Sequence, residues 1–172
     1  MSQNASDWRN LTSLQRTGWN DLGLQIQRSN SLGSTYNMTG FMAYCMINNN
    51  NLAAGNAQVS DAPLLAIPDP LATITPTLTA ASFSVAYTVT PLPAGARLFL
   101  YASPMRSAGR TFENDMRLIS VTAAAAASPF NVLAAYQGRF GTPVTGSRIF
   151  MNGVVYAAGF MSPPMLTSAV VA

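Results

Sequence analysis

Histidine and lysine are missing from all 172 residues, which removes much of enzyme chemistry at the outset. Without histidine there is no Ser-His-Asp or Cys-His triad and no imidazole-ligated metal. Without lysine there is neither a Schiff-base amine nor the lysine of a phosphate-binding P-loop. Cysteine occurs once, at Cys45, so no intrachain disulfide can form and no redox compartment is implied. Charge of either sign is scarce, at 9% of residues against ~25% in ordinary soluble domains. The only close carboxylate pair, Glu113 and Asp115, sits beside Arg110 and Arg117. A salt-bridged loop is the expected use of that group, ahead of acid–base or Ca²⁺ chemistry. No apolar run approaches the ~20 residues that span a bilayer, so no membrane insertion is expected. These absences point away from an enzyme, a cofactor and a small-molecule substrate.

What is present argues for architecture and assembly. Hydrophobic residues make up 49% of the chain, enough for a substantial core. With so few charges, the surface must be built from Ser, Thr, Asn, Gln and Ala, or be covered by other chains. Such a surface does little to oppose self-association. The formal charge of +3 comes from nine arginines scattered along the sequence. No cluster forms that would track a phosphate backbone, which argues against nucleic acid. The first residues lack the basic and apolar regions of a signal peptide. The expectation is synthesis in a cytoplasm, with the Asn-x-Ser/Thr triplets at Asn4, Asn10 and Asn37 as chance matches.

The N-terminal region reads as a helical arm of two helices, residues 1–60. Thr12-Ser-Leu-Gln15 has the form of a capping box. Behind it Trp19, Leu22 and Ile26 recur at helical spacing, which predicts a helix over about 12–28. Gly18 and Gly23 weaken it by about 1 kcal/mol each, so either the helix leans on a partner or the glycines permit close packing. A polar turn at 29–33 ends it. Thr39 then reads as an N-cap, with Phe41, Tyr44, Cys45 and Leu52 on one face and Gly55 as the stop. The run Asn48–Asn51 holds four poor helix formers. It either ends this helix early or stays helical to about 54 and spends its amides on contacts. Trp8 and Trp19 are packing anchors, and Met38, Met42, Met46, Met161 and Met165 suit adaptable packing in a core or interface.

From Asp61 to Pro76 four prolines favour extended, edge-like backbone and mark the boundary to a sheet domain, 61–172. Residues 82–90 alternate cleanly, placing Phe83, Val85, Tyr87 and Val89 toward a core. Pro91–Gly95 turns the chain into Arg97–Ser103, which is apolar on both faces and therefore central. These two strands are expected to form an antiparallel hairpin. A further strand is read at 117–121. Ser128-Pro129 predicts a helix start, with Leu133, Tyr136 and Phe140 as its face and Gly141 as its end. Near the end, either Asn152-Gly153 joins two short strands or a single strand runs on to Tyr156 and turns at 157–159. The loop 103–110 leaves the end of a rigid strand, where binding residues are often displayed. Arg106 and Arg110 are its candidates to meet a carboxylate on a neighbouring subunit.

The segment Arg148-Ile-Phe-Met…Val155-Tyr-Ala-Ala-Gly159-Phe-Met-Ser-Pro163 resembles the last two strands of fibronectin type III-like sandwiches. With the proline-rich entry and the Phe83–Val89 strand, the resemblance covers roughly 63–172. It favours the later of the two turns. Tyr87 stands where that family carries Trp, and the helix near 129–140 is an addition. The resemblance implies an α+β chain: a helical arm followed by an antiparallel Ig/fibronectin III-like β-sandwich with one inserted helix. Leu11, Thr12, Gln15, Trp19, Thr39, Gly40, Phe41 and Asn48 match a layout that resembles proteins of bacteriophages and prophages. That resemblance implies a virion component, capsid- or tail-associated, and supplies no catalytic residue. The partners then expected are the protein itself, as a homo-oligomer, or other virion structural proteins. Trp8, Trp19, Phe41, Tyr44, Asn48, Arg106 and Arg110 are the candidate interface residues. The alternative is a module that binds a receptor or glycan through sandwich-end loops.

Overall fold

The computed structural model describes residues 3–172 as an α+β protein, with N-terminal helices followed by several antiparallel sheets and one inserted helix. The chain divides into two compact units. One runs up to Ile67 and includes Ala158–Phe160; the other comprises Pro68–Ala157 and Met161–Ala172.

In the first unit the helices are α1 (Gln3–Asn10), α2 (Ser13–Gln25) and α3 (Gly40–Ala53), with strands β1 (Gln27–Ser29) and β2 (Thr35–Asn37) between the last two. Three helices therefore stand where the sequence predicts two; α1, at eight residues, is too short for a clear periodic signal. The capping box on α2 is present: the Gln15 amide donates to Thr12 Oγ1 at 3.2 Å and the Thr12 amide to Gln15 Oε1 at 2.9 Å. The helix stops at Gln25, not near 28, because the next residues pair. Ile26 buries its side chain, its carbonyl accepts the Met38 amide at 3.1 Å, and β1 runs antiparallel to β2. The Asn30 side chain shapes the turn by accepting the Leu32 and Ser34 amides at 3.0 and 2.9 Å.

The two glycines of α2 differ in their surroundings. A Cβ on Gly23 would lie 2.6 Å from the Met38 carbonyl oxygen, whereas one on Gly18 would make an ordinary 3.7 Å contact with Ala62. Gly40, at the start of α3, is equally confined: its Cβ would lie 2.8 Å from the Asn20 nitrogen. Gly23 and Gly40 thus let α2 and the start of α3 meet backbone to backbone. The unit's core gathers Leu11, Trp19, Leu22, Ile26, Met38, Ala43, Tyr44, Ile47 and Phe160.

The second unit contains β3 (Thr73–Thr79), β4 (Ser82–Thr88), β5 (Arg97–Ala102), β6 (Arg106–Ser107), β7 (Arg117–Val121), β8 (Phe130–Asn131), α4 (Leu133–Phe140), β9 (Ser147–Ala157) and β11 (Met165–Val170), while the two residues of β10 (Phe160–Met161) fall one in each unit. One sheet has the order β3-β4-β8. The other has the order β10-β9-β5-β7, with β6 and β11 also paired to β9. A single core draws Ile74, Leu78, Phe83, Val85 and Tyr87 from the first sheet and Leu98, Leu100, Ile149, Met151 and Val155 from the second. β5 is central as expected, with β7 on one side and β9 on the other. Leu98, Phe99 and Leu100 are all fully buried. β9 is one continuous strand that turns at Ala158-Gly159, so the later turn is the real one.

Three local expectations are corrected. β4 and β5 do not form a hairpin: β4 pairs with β3 and β8, and β5 with β7 and β9. The connection changes sheets, and it buries Leu92 and Ala96 in the core on the way, which a hairpin tip would leave in water. Val89 lies past the end of β4 and is exposed. Ser128-Pro129 does not start the helix, because Ser128 Oγ instead accepts the Tyr87 amide at 2.9 Å. Phe130 and Asn131 pair with β4, and the Asn131 side chain accepts the Leu133 amide at 2.9 Å, opening α4 there. The Tyr136 face and the Gly141 stop, at φ +86°, are as expected.

Candidate interface on the helical unit

Helix α3 carries apolar residues on two sides. Gly40, Ala43, Tyr44, Ile47, Asn48 and Asn51 recur at three- and four-residue spacing and are buried. A second stripe, Phe41, Met42, Cys45, Met46 and Leu52, also follows helical spacing. Phe41, Met42 and Leu52 are exposed, at 38%, 40% and 51%, while Cys45 and Met46 are half-buried. A surface helix ordinarily turns charged and polar groups outward at those positions. Here Phe41, Met42 and Leu52 occupy such positions, while Cys45 and Met46 pack on the unit's core. Burial raises the Cys45 thiol above its usual range, so it stays protonated at neutral pH.

Four of the residues singled out in the sequence come together on this helix and its neighbours. Trp8 of α1 packs edge-on against Phe41 and at a tilt against Tyr44, with ring centroids 5.6 and 5.4 Å apart, and Trp19 of α2 meets Tyr44 edge-on at 5.2 Å. The chain of rings runs from the buried Trp19 to the exposed Phe41. Trp19 Nε1 donates to the Ser60 carbonyl at 2.8 Å, which satisfies the one polar atom of a fully buried side chain. The Tyr44 hydroxyl is held protonated above its usual range, first by burial and then by the Asp7 carboxylate and Cys45. A depression of about 230 Å³ beside it, lined by Asp7, Gln15, Tyr44 and Gln58, falls below the ~300–1,000 Å³ of small-molecule sites.

Asn48 has a structural task. Its side-chain amide donates to the Val59 carbonyl at 3.1 Å and its oxygen accepts the Val59 amide at 2.7 Å. That pair of bonds fastens the chain after α3 back onto the helix, with Asn48 fully buried. The neighbouring asparagines are used likewise: Asn49 accepts from Asn4 at 2.7 Å and Asn50 donates to the Gly159 carbonyl at 2.8 Å. These tertiary bonds explain how four poor helix formers remain helical.

Arg106 and Arg110 lie in the second unit and both face a carboxylate of their own chain. Glu113 is buried; it forms an ion pair with Arg106 Nε and sits 3.4 Å from Arg110 Nε. Asp115 lies 3.8 Å from Arg106 and 3.3 Å from Arg117. The loop pairing expected around Glu113 and Asp115 is therefore present, and it includes Arg106 as well. Glu113 also accepts the Asn114 and Asp115 amides, each at 3.0 Å. The Asp115 amide, followed by the Arg106 guanidinium, holds the Glu113 carboxyl below the usual carboxylate range, against the opposing effect of burial. At the start of this loop Ser103 is fixed by four bonds, one of them from its Oγ to the Pro104 carbonyl at 2.8 Å. Its amide donates to the Phe150 carbonyl at 2.9 Å, its Oγ accepts the Phe150 amide at 3.1 Å, and its carbonyl accepts the Tyr136 hydroxyl at 3.2 Å. Burial pushes the Tyr136 phenol up to about 12.

Among the described residues no three Cys, Asp or Glu side chains gather as a metal site, and no helix is long and apolar enough to cross a membrane. The single face expected for Phe41, Tyr44, Cys45 and Leu52 is divided: Tyr44 lies on the buried side, while Phe41 and Leu52 are exposed and share the other side with Met42 and Met46. Which side of α3 is covered depends on α2 and is not set by spacing along α3. No protein-family model matches the chain, and no curated protein matches its sequence.

Proposed function

We propose that this chain is a non-enzymatic structural protein of a bacteriophage particle, capsid- or tail-associated, acting through contacts with copies of itself or with other virion proteins. The observation that carries the reading is the second apolar stripe of α3, in which Phe41, Met42 and Leu52 reach solvent while Cys45 and Met46 pack on the unit's core beneath them. An outward stripe of that kind stabilises the chain only when another surface covers it. The low charge of the whole sequence acts in the same direction. The phage assignment rests on the resemblance carried by Leu11, Thr12, Gln15, Trp19, Thr39, Gly40, Phe41 and Asn48.

For the second unit the reading is an Ig/fibronectin III-like sandwich. Setting aside β6 and β10, the first, second and fifth strands share one sheet, and the fourth, third, sixth and seventh share the other in that order. That crossing pattern, with one core fed from both sheets, supports a Greek-key sandwich. Such a module displays loops and edges without needing a catalytic centre.

Light scattering on the purified full chain tests the reading. The expected result is a defined oligomer, shifted toward monomer in the Met42→Glu/Leu52→Glu double variant, whose circular dichroism should stay unchanged because both positions are exposed. A full chain that remains monomeric at every concentration would overturn self-association.

A further inference from the structure

The loop after Arg110 and strand β11 enclose a groove of about 230 Å³, walled by Phe112, Met116, Phe150, Leu166 and Ser168, with Glu113 at its side. It is smaller than the ~300–1,000 Å³ of small-molecule sites and suits one or two side chains. Phe112 and Leu166 at its rim are large, apolar and 65% and 61% exposed. No arginine lines it, but four engage its lining residues or the loop beside them. Arg106, Arg110 and Arg117 pair with Glu113 and Asp115. Arg148 stands opposite Arg106 in the β6–β9 ladder and donates to Ser168 Oγ at 3.3 Å. Two carboxylates do not neutralise four guanidiniums, so the rim keeps a positive excess. Folding thus collects arginines that are up to 42 positions apart in the sequence, Arg106 and Arg148.

The same chain displays a segment of matching chemistry. From Asp61 to Asp69 the sequence is Asp-Ala-Pro-Leu-Leu-Ala-Ile-Pro-Asp, with neither helix nor strand. Leu64 is 90% exposed, Ile67 60% and Leu65 37%. Pro63 and Pro68 limit its backbone freedom, which lowers the entropy lost on docking. A carboxylate stands at each end, and Asp69 has no ion-pair partner among the described residues.

We propose that the 61–69 segment of one copy seats in the arginine-rimmed groove of a second copy. Its aliphatic side chains fill the space between Phe112 and Leu166, and its terminal carboxylates meet the surplus arginines. The two surfaces differ, so two copies either exchange the contact reciprocally about a two-fold axis or repeat it head-to-tail into a ring or filament. The inference rests on the self-association reading above and names the surfaces it would use.

The test is fluorescence anisotropy of a labelled synthetic peptide spanning 61–69, titrated with dilute full chain. The expected result is a saturable rise, weakened about tenfold or more by Leu166→Ser in the protein or by Asp61→Asn/Asp69→Asn in the peptide. Excess unlabelled peptide should also lower the mass of the associated full chain in light scattering. The peptide changes cannot affect folding, and Leu166 is exposed. No saturable rise, or a rise indifferent to both changes, would overturn the proposal. If that happens while the full chain is oligomeric, only the groove contact fails. If the chain is also monomeric, both readings fail.

Discussion

Among the described residues, nine buried side chains form the core of the helical unit and seventeen that of the sheet unit, so each large residue of the first carries a greater share. The two also join their parts by different means. The helical unit uses a chain of aromatic rings, asparagine side chains bonded to backbone, and glycines that allow close helix contact. The sheet unit uses backbone ladders around an aliphatic and aromatic core. The contrast teaches where single changes should hurt. Side-chain substitutions should be most damaging in the helical unit, since few neighbours are available to close a void there.

Trp19→Ala should have the largest effect. It empties the centre of the smaller core and leaves the Ser60 carbonyl unpaired, a loss of about 3–5 kcal/mol measurable by urea unfolding. Next come the glycines of α2, which separate packing from propensity. Gly23→Ala should destabilise by about 1–3 kcal/mol through overpacking against the Met38 carbonyl. Gly18→Ala, with only an ordinary contact to meet, should stabilise by up to about 1 kcal/mol through helix propensity. Equal responses at the two positions would mean that α2 and α3 do not approach as described.

Tyr136→Phe probes the sheet unit more gently. It removes only the hydroxyl bond to Ser103 and should cost about 1 kcal/mol. The smallest change should come with pH. The Glu113 carboxyl is held below its ordinary value of 4.5, so its ionised form favours the folded state. That contribution is complete above the ordinary value and is lost as pH falls through the lowered one. Urea midpoints measured from neutral into acid should drop there, and Glu113→Gln should flatten that part of the profile.

Much of this was legible in the residues wherever the deciding interactions are local. The Thr12–Gln15 capping box, the Thr39 cap, the alternation of Phe83, Val85 and Tyr87, the Gly141 stop and the two-sided burial of β5 each depend on neighbours a few positions away. The eight-residue α1 was not legible, since a helix that short gains little from its own hydrogen bonds and depends on packing. Pro76 and its neighbours suggested an extended edge, and β3 is such a strand, paired on β4 alone among the described strands. Of the interface candidates, the aromatic four converge, whereas Asn48 and Arg106 have partners within the chain that no spacing rule foretells, and Arg110 meets the nearby Glu113 as its spacing predicts.

The sequence by itself determined the longer helices α2 and α3, the alternation of β4, the two-sided burial of β5, and which catalytic groups the chain cannot supply. Capping, periodicity and the absence of a residue type are properties of short windows or of composition. Tertiary structure alone decided that β4 and β5 belong to different sheets, that Ser128 serves Tyr87 instead of a helix, and that Gly23 is confined while Gly18 is not. It also decided which arginines gather around Glu113. In each case the controlling partner lies far along the chain, and only the packed core brings it within reach.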